Sequence, residues 1–350
     1  MRIVVAMSGG VDSSVAAGLL HEAGHEVVGV SMQLYDNSQG FGSCCTIDDL
    51  HDARRVAAHF GFPHYIVNFE SHFHRHVQQN FVAEYAAGRT PIPCAHCNSE
   101  VKFSELLRRA DGYGASHLAT GHYARIGRDA DGVYHLRRGH DAGKDQSYFL
   151  FSLTQAQLAQ ALFPVGDLAK DEVRRAATRM GLAVADKADS QEICFVPDHD
   201  YARFLERQQP ALAASGAIVD QAGATIGSHG GVHRFTVGQR KGLGLSAGVP
   251  LYVVNIDAPR QLVTVGPREA LDRTTFTASR VNWISGSTPV AAVDAAVQIR
   301  HRHAAAAARI APLDETRVTV TFAVPQSAVA PGQAAVFYDG DEVIGGGWID

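Results

Sequence analysis

Apolar positions fall into two textures along the chain. Over the first 195 residues, short apolar runs alternate with amphipathic stretches. Arg2 to Met7 is a run of mostly consecutive apolar residues, as a strand buried on both faces requires. A Gly-Ser loop follows, then a helical pattern through Val15, Ala16, Leu19 and Leu20 that stops at Gly24. Val27 to Met32 is the next predicted strand, completing a βαβ unit. Thr46 and Asp49 have the spacing of a capping box, and Leu50, Ala53, Ala57 and Phe60 line one face of the helix behind them. Tyr65 to Val67 predicts a third strand and Ser116 to Thr120 a fourth. Between them Phe73, Val77, Phe81 and Tyr85 recur at spacing four, a helix with one apolar face. Strands separated by helices predict a mostly parallel sheet with right-handed crossovers and ligands at the strands' carboxyl ends.

Beyond about residue 200 the texture becomes Gly-, Val- and Thr-rich. Leu251 to Ile256, Val318 to Val324 and Ala334 to Tyr338 are short strand patterns between turn residues, the texture of small β-barrels or sandwiches. Ala304 to Ala308 reads as filler. The predicted organisation is a catalytic α/β domain over residues 1–198, a mostly β central domain over 199–272 and a C-terminal β-barrel over 273–350. Length and composition agree: 350 residues with 46% apolar content can bury several cores. The chain starts on a strand pattern, not a signal peptide, and no apolar run is long enough for a bilayer, which predicts a cytoplasmic protein with no membrane partner.

Charge narrows the chemistry. A formal net charge of −5 excludes a general basic coat, so a nucleic-acid site must be a local patch. The acid-free runs Arg300, His301, Arg302, His303, Arg309 and Gln239, Arg240, Lys241 are candidates, with a plain solvated face as the competing reading. Between the first strand and first helix lies Ser8-Gly9-Gly10-Val11-Asp12-Ser13-Ser14. Two glycines, two serines and a helix N-terminus make an anion cradle, and neither GxxxxGK[ST] nor GxGxxG is present. Asp12 is out of place beside an anion unless it binds Mg²⁺ or orients the loop. The loop is similar to the pyrophosphate loop of ATP pyrophosphatases, which cleave ATP between its α and β phosphates and adenylate a substrate oxygen. By itself it admits amide ligases, including one acting on a small amine, as well as RNA-modifying enzymes.

Five cysteines, an odd number, suit reduced thiols. Cys94 and Cys97 form a CxxC without a second pair, so a closed zinc site is incomplete. Half a metal site, a redox pair and a catalytic thiol all remain open, as does a non-catalytic RNA-binding or metal-storage module. Cys44 and Cys45 read as inert. An activated carbon next to an adenylated oxygen needs a nucleophile, and two distant thiols, Cys97 and Cys194, suit sulfur delivery followed by disulfide closure. A nearby cation or helix N-terminus should lower the attacking thiol, and Lys102 is one candidate. His72, His74 and His76 look metal-like but sit on the solvent side of the Phe73 stripe.

The set SGGVDSS, GRTPIPCAHCNSEVKF (88–103), ATGHYAR (119–125), KDQSYFLF (144–151), KADSQEICF (187–195), TVGQRKGLG (236–244) and PGQAAVFYDG (331–340) resembles the tRNA-specific 2-thiouridylase (MnmA) family, in family order over nearly the whole chain. The resemblance implies an adenine-nucleotide hydrolase-like parallel-sheet domain, a small central domain and a C-terminal barrel. It implies ATP held by Ala6, Met7, Ser8, Gly9, Gly10, Val11, Asp12, Ser13, Met32 and Gly121, and catalysis by Cys97 as nucleophile and Cys194 as persulfide carrier. The loop Ile92, Pro93, Cys94 would meet the target base. His122, Lys144, Asp145, Gln146, Arg300, His301 and Gln333 would touch tRNA. Implied partners are tRNAs with a wobble uridine, of the Lys, Glu and Gln type, and a cysteine desulfurase or sulfur-relay protein. The family has Asp or Cys at the position of Cys94. With Cys here, Cys94, Cys97 and Cys194 could instead carry an iron–sulfur cluster, and the sequence leaves the persulfide and cluster routes both open.

Overall fold

A computed structural model describes residues 1–35, 47–189, 193–196, 200–245 and 248–350. The expected cap Thr46, and Cys44 and Cys45, lie outside these. Strands β1 (Arg2–Ala6), β2 (Glu26–Gln33), β3 (His64–Asn68), β4 (His117–Ala119) and β7 (Ala161–Leu162) form an all-parallel sheet in the order β3-β2-β1-β4-β7. The apolar run of β1 has a direct explanation. Ile3 and Val5 pack on helices α1 (Val11–Glu22), α2 (Ile47–Phe60) and Lys170–Arg179, while Val4 packs on the opposite face with Phe73, Val77 and Phe103. The chain is thus an α/β protein whose sheet is covered on both faces.

The spacing-four stripe is also explained. In a regular α-helix every fourth residue overshoots a full turn by about 40°, so Phe73, Val77, Phe81 and Tyr85 would spiral off one face. A π-helical turn at His74–Gln78 lies between two α segments, Glu70–Phe73 and Gln79–Ala86, and takes up that drift. All four side chains are buried.

The remainder is β. Strands β8 (Gly216–Val219), β9 (Thr225–His229), β10 (Tyr252–Asp257) and β11 (Leu262–Gly266) make a sheet ordered β10-β11-β8-β9 over a core of Ile218, Val253, Val263 and Val265. Strands β12 (Asp272–Trp283), β13 (Val293–Gln298), β14 (Ala306–Pro312), β15 (Val318–Ser327), β16 (Ala334–Asp339) and β17 (Glu342–Ile349) pair antiparallel, and β12 also pairs with β17, closing a six-stranded barrel.

Two features differ from the sequence reading. The supposed filler is partly strand: Ala306 to Ala308 lie in β14, paired with β13, and Ala308 and Ile310 point into the barrel. Small side chains at the run's start hid the alternation. The second difference is the hairpin β5 (Ala124–Arg128) and β6 (Tyr134–Arg138), which leaves the parallel-sheet region and joins the barrel by pairing with β17. No described helix is long and apolar enough to cross a membrane.

Candidate active site

The glycine loop joins the carboxyl end of β1 to α1, where a doubly covered parallel sheet presents its crevice. Gly9 has φ +74, and a side chain there would drive its Cβ to 2.1 Å from the Asp49 carbonyl oxygen, so only glycine fits. Met7 and Val11 are buried on either side, anchoring the loop. The serines hold its shape. Ser13 Oγ donates to the Gly10 carbonyl (3.2 Å) and accepts from the Ser8 amide (3.2 Å), and Ser14 Oγ donates to the same carbonyl (2.8 Å). No side chain caps α1 at Gly10, so the amides of its first turn are left for an anion. Gly121, just after β4, lies so close that a Cβ would stand 2.6 Å from the Ser13 amide nitrogen. Met32, near the end of neighbouring β2, is buried. Of the other predicted nucleotide residues, Gly121 is thus brought against the loop.

Asp12, anomalous in the sequence, is pinned. Lys170 Nζ donates to both its oxygens (2.7 and 2.9 Å) and Tyr123 Oη to one (2.7 Å). A second lysine, Lys187, donates to the Gly9 carbonyl (3.0 Å), Asp49 (2.7 Å) and Asp52 (2.6 Å). Burial alone would lower the Lys187 ammonium, but the two carboxylates outweigh it and raise it. Sequence reasoning missed Lys170, Lys187 and Tyr123, because polar contacts between residues 111 to 158 positions apart leave no local pattern.

Cys97 stands at the junction of a short helix, Pro93–His96, and a π-helical stretch, Cys97–Leu106. Pro93 fits its first turn, where no amide donor is needed. Cys97 is a buried, reduced thiol, while Cys94 is exposed and Ile92 buried. The expected activation is reversed at rest. Burial pushes the Cys97 thiol up, and the opposing pull of Lys102 is weaker. His96 supplies no charge either, because burial pushes it down to about 4. Its ring stacks on Trp348 of β17 at 4.3 Å and 7°. Further contacts tie the segment to the other two domains. Thr90 donates its amide to Pro331 O (2.8 Å), its hydroxyl bonds Thr236 (3.2 Å), and Gln333 Nε2 donates to Thr90 O (2.8 Å).

A chain of contacts links thiol and loop. Lys102, one turn beyond Cys97, donates to Asn98 Oδ1 (3.0 Å) and acts electrostatically on both Cys97 and His122. His122 bonds Thr120 Oγ1 (2.7 Å), faces Phe103 with ring centroids 6.2 Å apart and follows Gly121, the residue against Ser13. Burial holds its imidazole well below the ordinary value. Cys194 lies at the same edge. Its carbonyl accepts from Tyr35 Oη (3.0 Å), just beyond β2, and Phe195 anchors it among Phe73, Phe81 and Phe204. Cys97 and Cys194 border one hydrophobic cluster.

The predicted RNA contacts fall in two groups. Asp145 is turned inward, accepting from Arg138, the Gly139 amide and Ser147, and Gln146 accepts from the Tyr123 amide. Lys144 is paired with Asp189 (2.7 Å), and Gln333 is spent on Thr90. Arg300, His301 and Arg302 are exposed, with His301 against Phe149 at 4.7 Å. Arg309 is paired with Asp294 at 3.4 Å.

Metal chemistry was tested on the donor sets. Among the described residues no three His, Cys, Asp or Glu side chains converge to hold an ion, so Cys94, Cys97 and Cys194 do not form a cluster cradle in this arrangement, nor do His72, His74 and His76. Asp12, the sequence's Mg²⁺ candidate, has both oxygens engaged by Lys170.

A glycine-and-serine anion loop at the carboxyl end of β1, in a doubly covered parallel sheet, defines a nucleotide-binding α/β protein of the ATP pyrophosphatase class. Family models described as tRNA methyl transferase HUP domain, tRNA methyl transferase PRC-barrel domain and aminomethyltransferase beta-barrel domain match residues 1–198, 202–267 and 273–349. The chain belongs to the tRNA-specific 2-thiouridylase MnmA family. It is 56% identical to the Geobacter metallireducens member, covering 100% of this chain and 96% of that one. Identity to the Geotalea uraniireducens member is 54% over 100% and 95% of the two chains, and to the Solibacter usitatus member 55% over 99% of each.

Proposed function

We propose that the protein is a tRNA-uridine 2-sulfurtransferase that makes 2-thiouridine at the wobble position. ATP lies on the glycine loop, and its α-phosphorus is attacked by the C2 oxygen of a uridine splayed from the anticodon loop. Pyrophosphate leaves along the α1 amides. The terminal sulfur of a Cys194 persulfide attacks C2, and AMP departs with the original oxygen. The Cys97 thiolate then attacks Cys194 Sγ. The S–S bond to the transferred sulfur breaks, that sulfur becomes the thione, and a Cys97–Cys194 disulfide forms for an external thiol to reduce. A cysteine desulfurase or relay protein reloads Cys194. Exposed Arg300 and His301 contact tRNA phosphates, while Asp145, Gln146 and Gln333 act by shaping the walls around the base. The reaction places the protein in the cytoplasm with its tRNA.

The observation that carries this reading is the close approach of Gly121 to Ser13 and the ring contact of neighbouring His122 with Phe103, in the same helical stretch as Cys97. Activation and sulfur attack must occur on neighbouring atoms, and these contacts join the loop to the thiol's helix. The test is single-turnover thiolation of a wobble-uridine tRNA. Cys97→Ser and Cys194→Ser each abolish 2-thiouridine, while adenylation, read as tRNA-dependent pyrophosphate release, partly survives. Full thiolation by either variant overturns the assigned roles, and AMP formation that ignores tRNA overturns the substrate.

A further inference from the structure

Asn98, next to the Cys97 thiol, is only 2% exposed, and a buried amide needs partners at both its ends. Its Nδ2 donates to the Phe149 carbonyl (3.0 Å), and its Oδ1 accepts from Lys102 Nζ (3.0 Å). A carbonyl only accepts and an ammonium only donates, so the amide stands in one orientation. Among the described residues Asn98 is the sole hydrogen-bond partner of the Lys102 ammonium. The helix itself sets up this meeting. In an α-helix Lys102 would lie about 140° round the axis from Cys97. The stretch Cys97–Leu106 is π-helical, with bonds spanning five residues, which turns position 102 back onto the face of position 97. The ammonium therefore acts on the thiol. The far end of the amide is fixed on the turn Ser147–Phe149, whose Phe149 ring lies against His301 at 4.7 Å.

We propose that Asn98 is a positioning residue for sulfur transfer: its side-chain amide, anchored on the Phe149 carbonyl, holds the Lys102 ammonium on the Cys97 face of the helix. Residues of similar size cannot do this. Aspartate has no donor for the carbonyl and would cancel the lysine charge, and leucine would leave both groups without a partner. Without the amide, the flexible four-carbon stem of Lys102 lets the ammonium swing towards water, and its charge is lost from the thiol's side. The assignment rests on the reading of Cys97 as the thiol that completes the reaction.

The experiment is a double-mutant cycle on the full chain: wild type, Asn98→Ala, Lys102→Met and the double variant. N-ethylmaleimide alkylation of Cys97 is followed without tRNA or nucleotide, and fragment-resolved mass spectrometry separates it from Cys94. In the wild-type background Asn98→Ala should slow alkylation about three- to fivefold, the scale of one solvent-screened charge. In the Lys102→Met background the same substitution should change nothing, because the charge that Asn98 holds is already gone. An equal factor in both backgrounds, unity included, makes Asn98 a packing residue and overturns the proposal, as does faster alkylation in Asn98→Ala. Asn98→Ser, which leaves a smaller cavity, carries the same cycle if Asn98→Ala folds poorly. In single turnover Asn98→Ala should slow thiolation severalfold while tRNA-dependent pyrophosphate release stays near wild type, and equal loss of both counts against a role in sulfur transfer. If wild type itself yields no 2-thiouridine, the functional reading fails, whereas the alkylation cycle still decides what Asn98 does.

Discussion

Cys97 is stored as a thiol, not held as a thiolate. Burial dominates and Lys102 offsets it only in part, so at pH 7 its attack on a reagent should be slower than that of exposed Cys94. Substitution Lys102→Met removes the one favourable charge identified and should slow Cys97 alkylation severalfold, with the rate recovering only at higher pH. Peptide-resolved alkylation from pH 7 to 10 checks this; an unchanged rate would show that Lys102 does not act on the thiol. At this scale the sequence was a mixed guide. It placed Gly9, Ser13 and Gly121 on one surface because a strand, a turn and a helix are local signals. It chose Lys102 correctly as the nearest influence on Cys97 but gave the wrong net sign, since burial is a property of the whole fold. Lys170 and Tyr123 were illegible for the same reason.

Among elements, the β5–β6 hairpin carries a pH-sensitive fastening. Hydrogen bonds that the ring donates to Glu342 (2.7 Å) and Asp129 (3.0 Å) raise the His135 imidazole above its ordinary value. A raised folded value means that the stabilisation is complete below the unfolded value of about 6.5 and is lost as pH climbs through the folded one. The pair is partly exposed, so it contributes about 0.5–1 kcal/mol at most. Amide exchange in residues 124–138, compared with the barrel, should speed up between pH 6 and pH 8.5, and His135→Gln should remove that dependence. An identical pH response in the variant would refute the assignment. The hairpin escaped the sequence reading because its two strands are short and carry only single apolar residues between Arg125, Arg128, His135 and Arg137, whereas β1 and β2 announce themselves by runs rich in Ile and Val. The stripe at 73–85 was legible as a helix, but only the structure reveals the π turn that keeps it on one face.

For the whole molecule, the three domains meet at the segment that carries Cys97. Trp348 of the barrel covers His96 and is itself backed by Arg280 at 5.2 Å and Phe151 at 5.5 Å. Replacing it by alanine should cost about 3–5 kcal/mol of stability, the range for large buried aromatics. It should also raise Cys97 reactivity at once, because the helix loses its backing. Urea unfolding and alkylation on the same Trp348→Ala sample measure both, and destabilisation with an unaltered thiol would confine Trp348 to the barrel. The domain textures were readable from Gly, Val and Thr content, but the stitching between domains was not.

That stitching sets a limit on modularity. The strand β6 lends Leu136 and Arg137 to Val343 and Glu342 of β17, while Tyr148 reaches Ala334 and Asn282 reaches Phe151 and Leu153. A cut near residue 272 would therefore release no self-sufficient front half. It would bare a ribbon edge and a row of unsatisfied carbonyls, an open template for pairing between neighbouring copies.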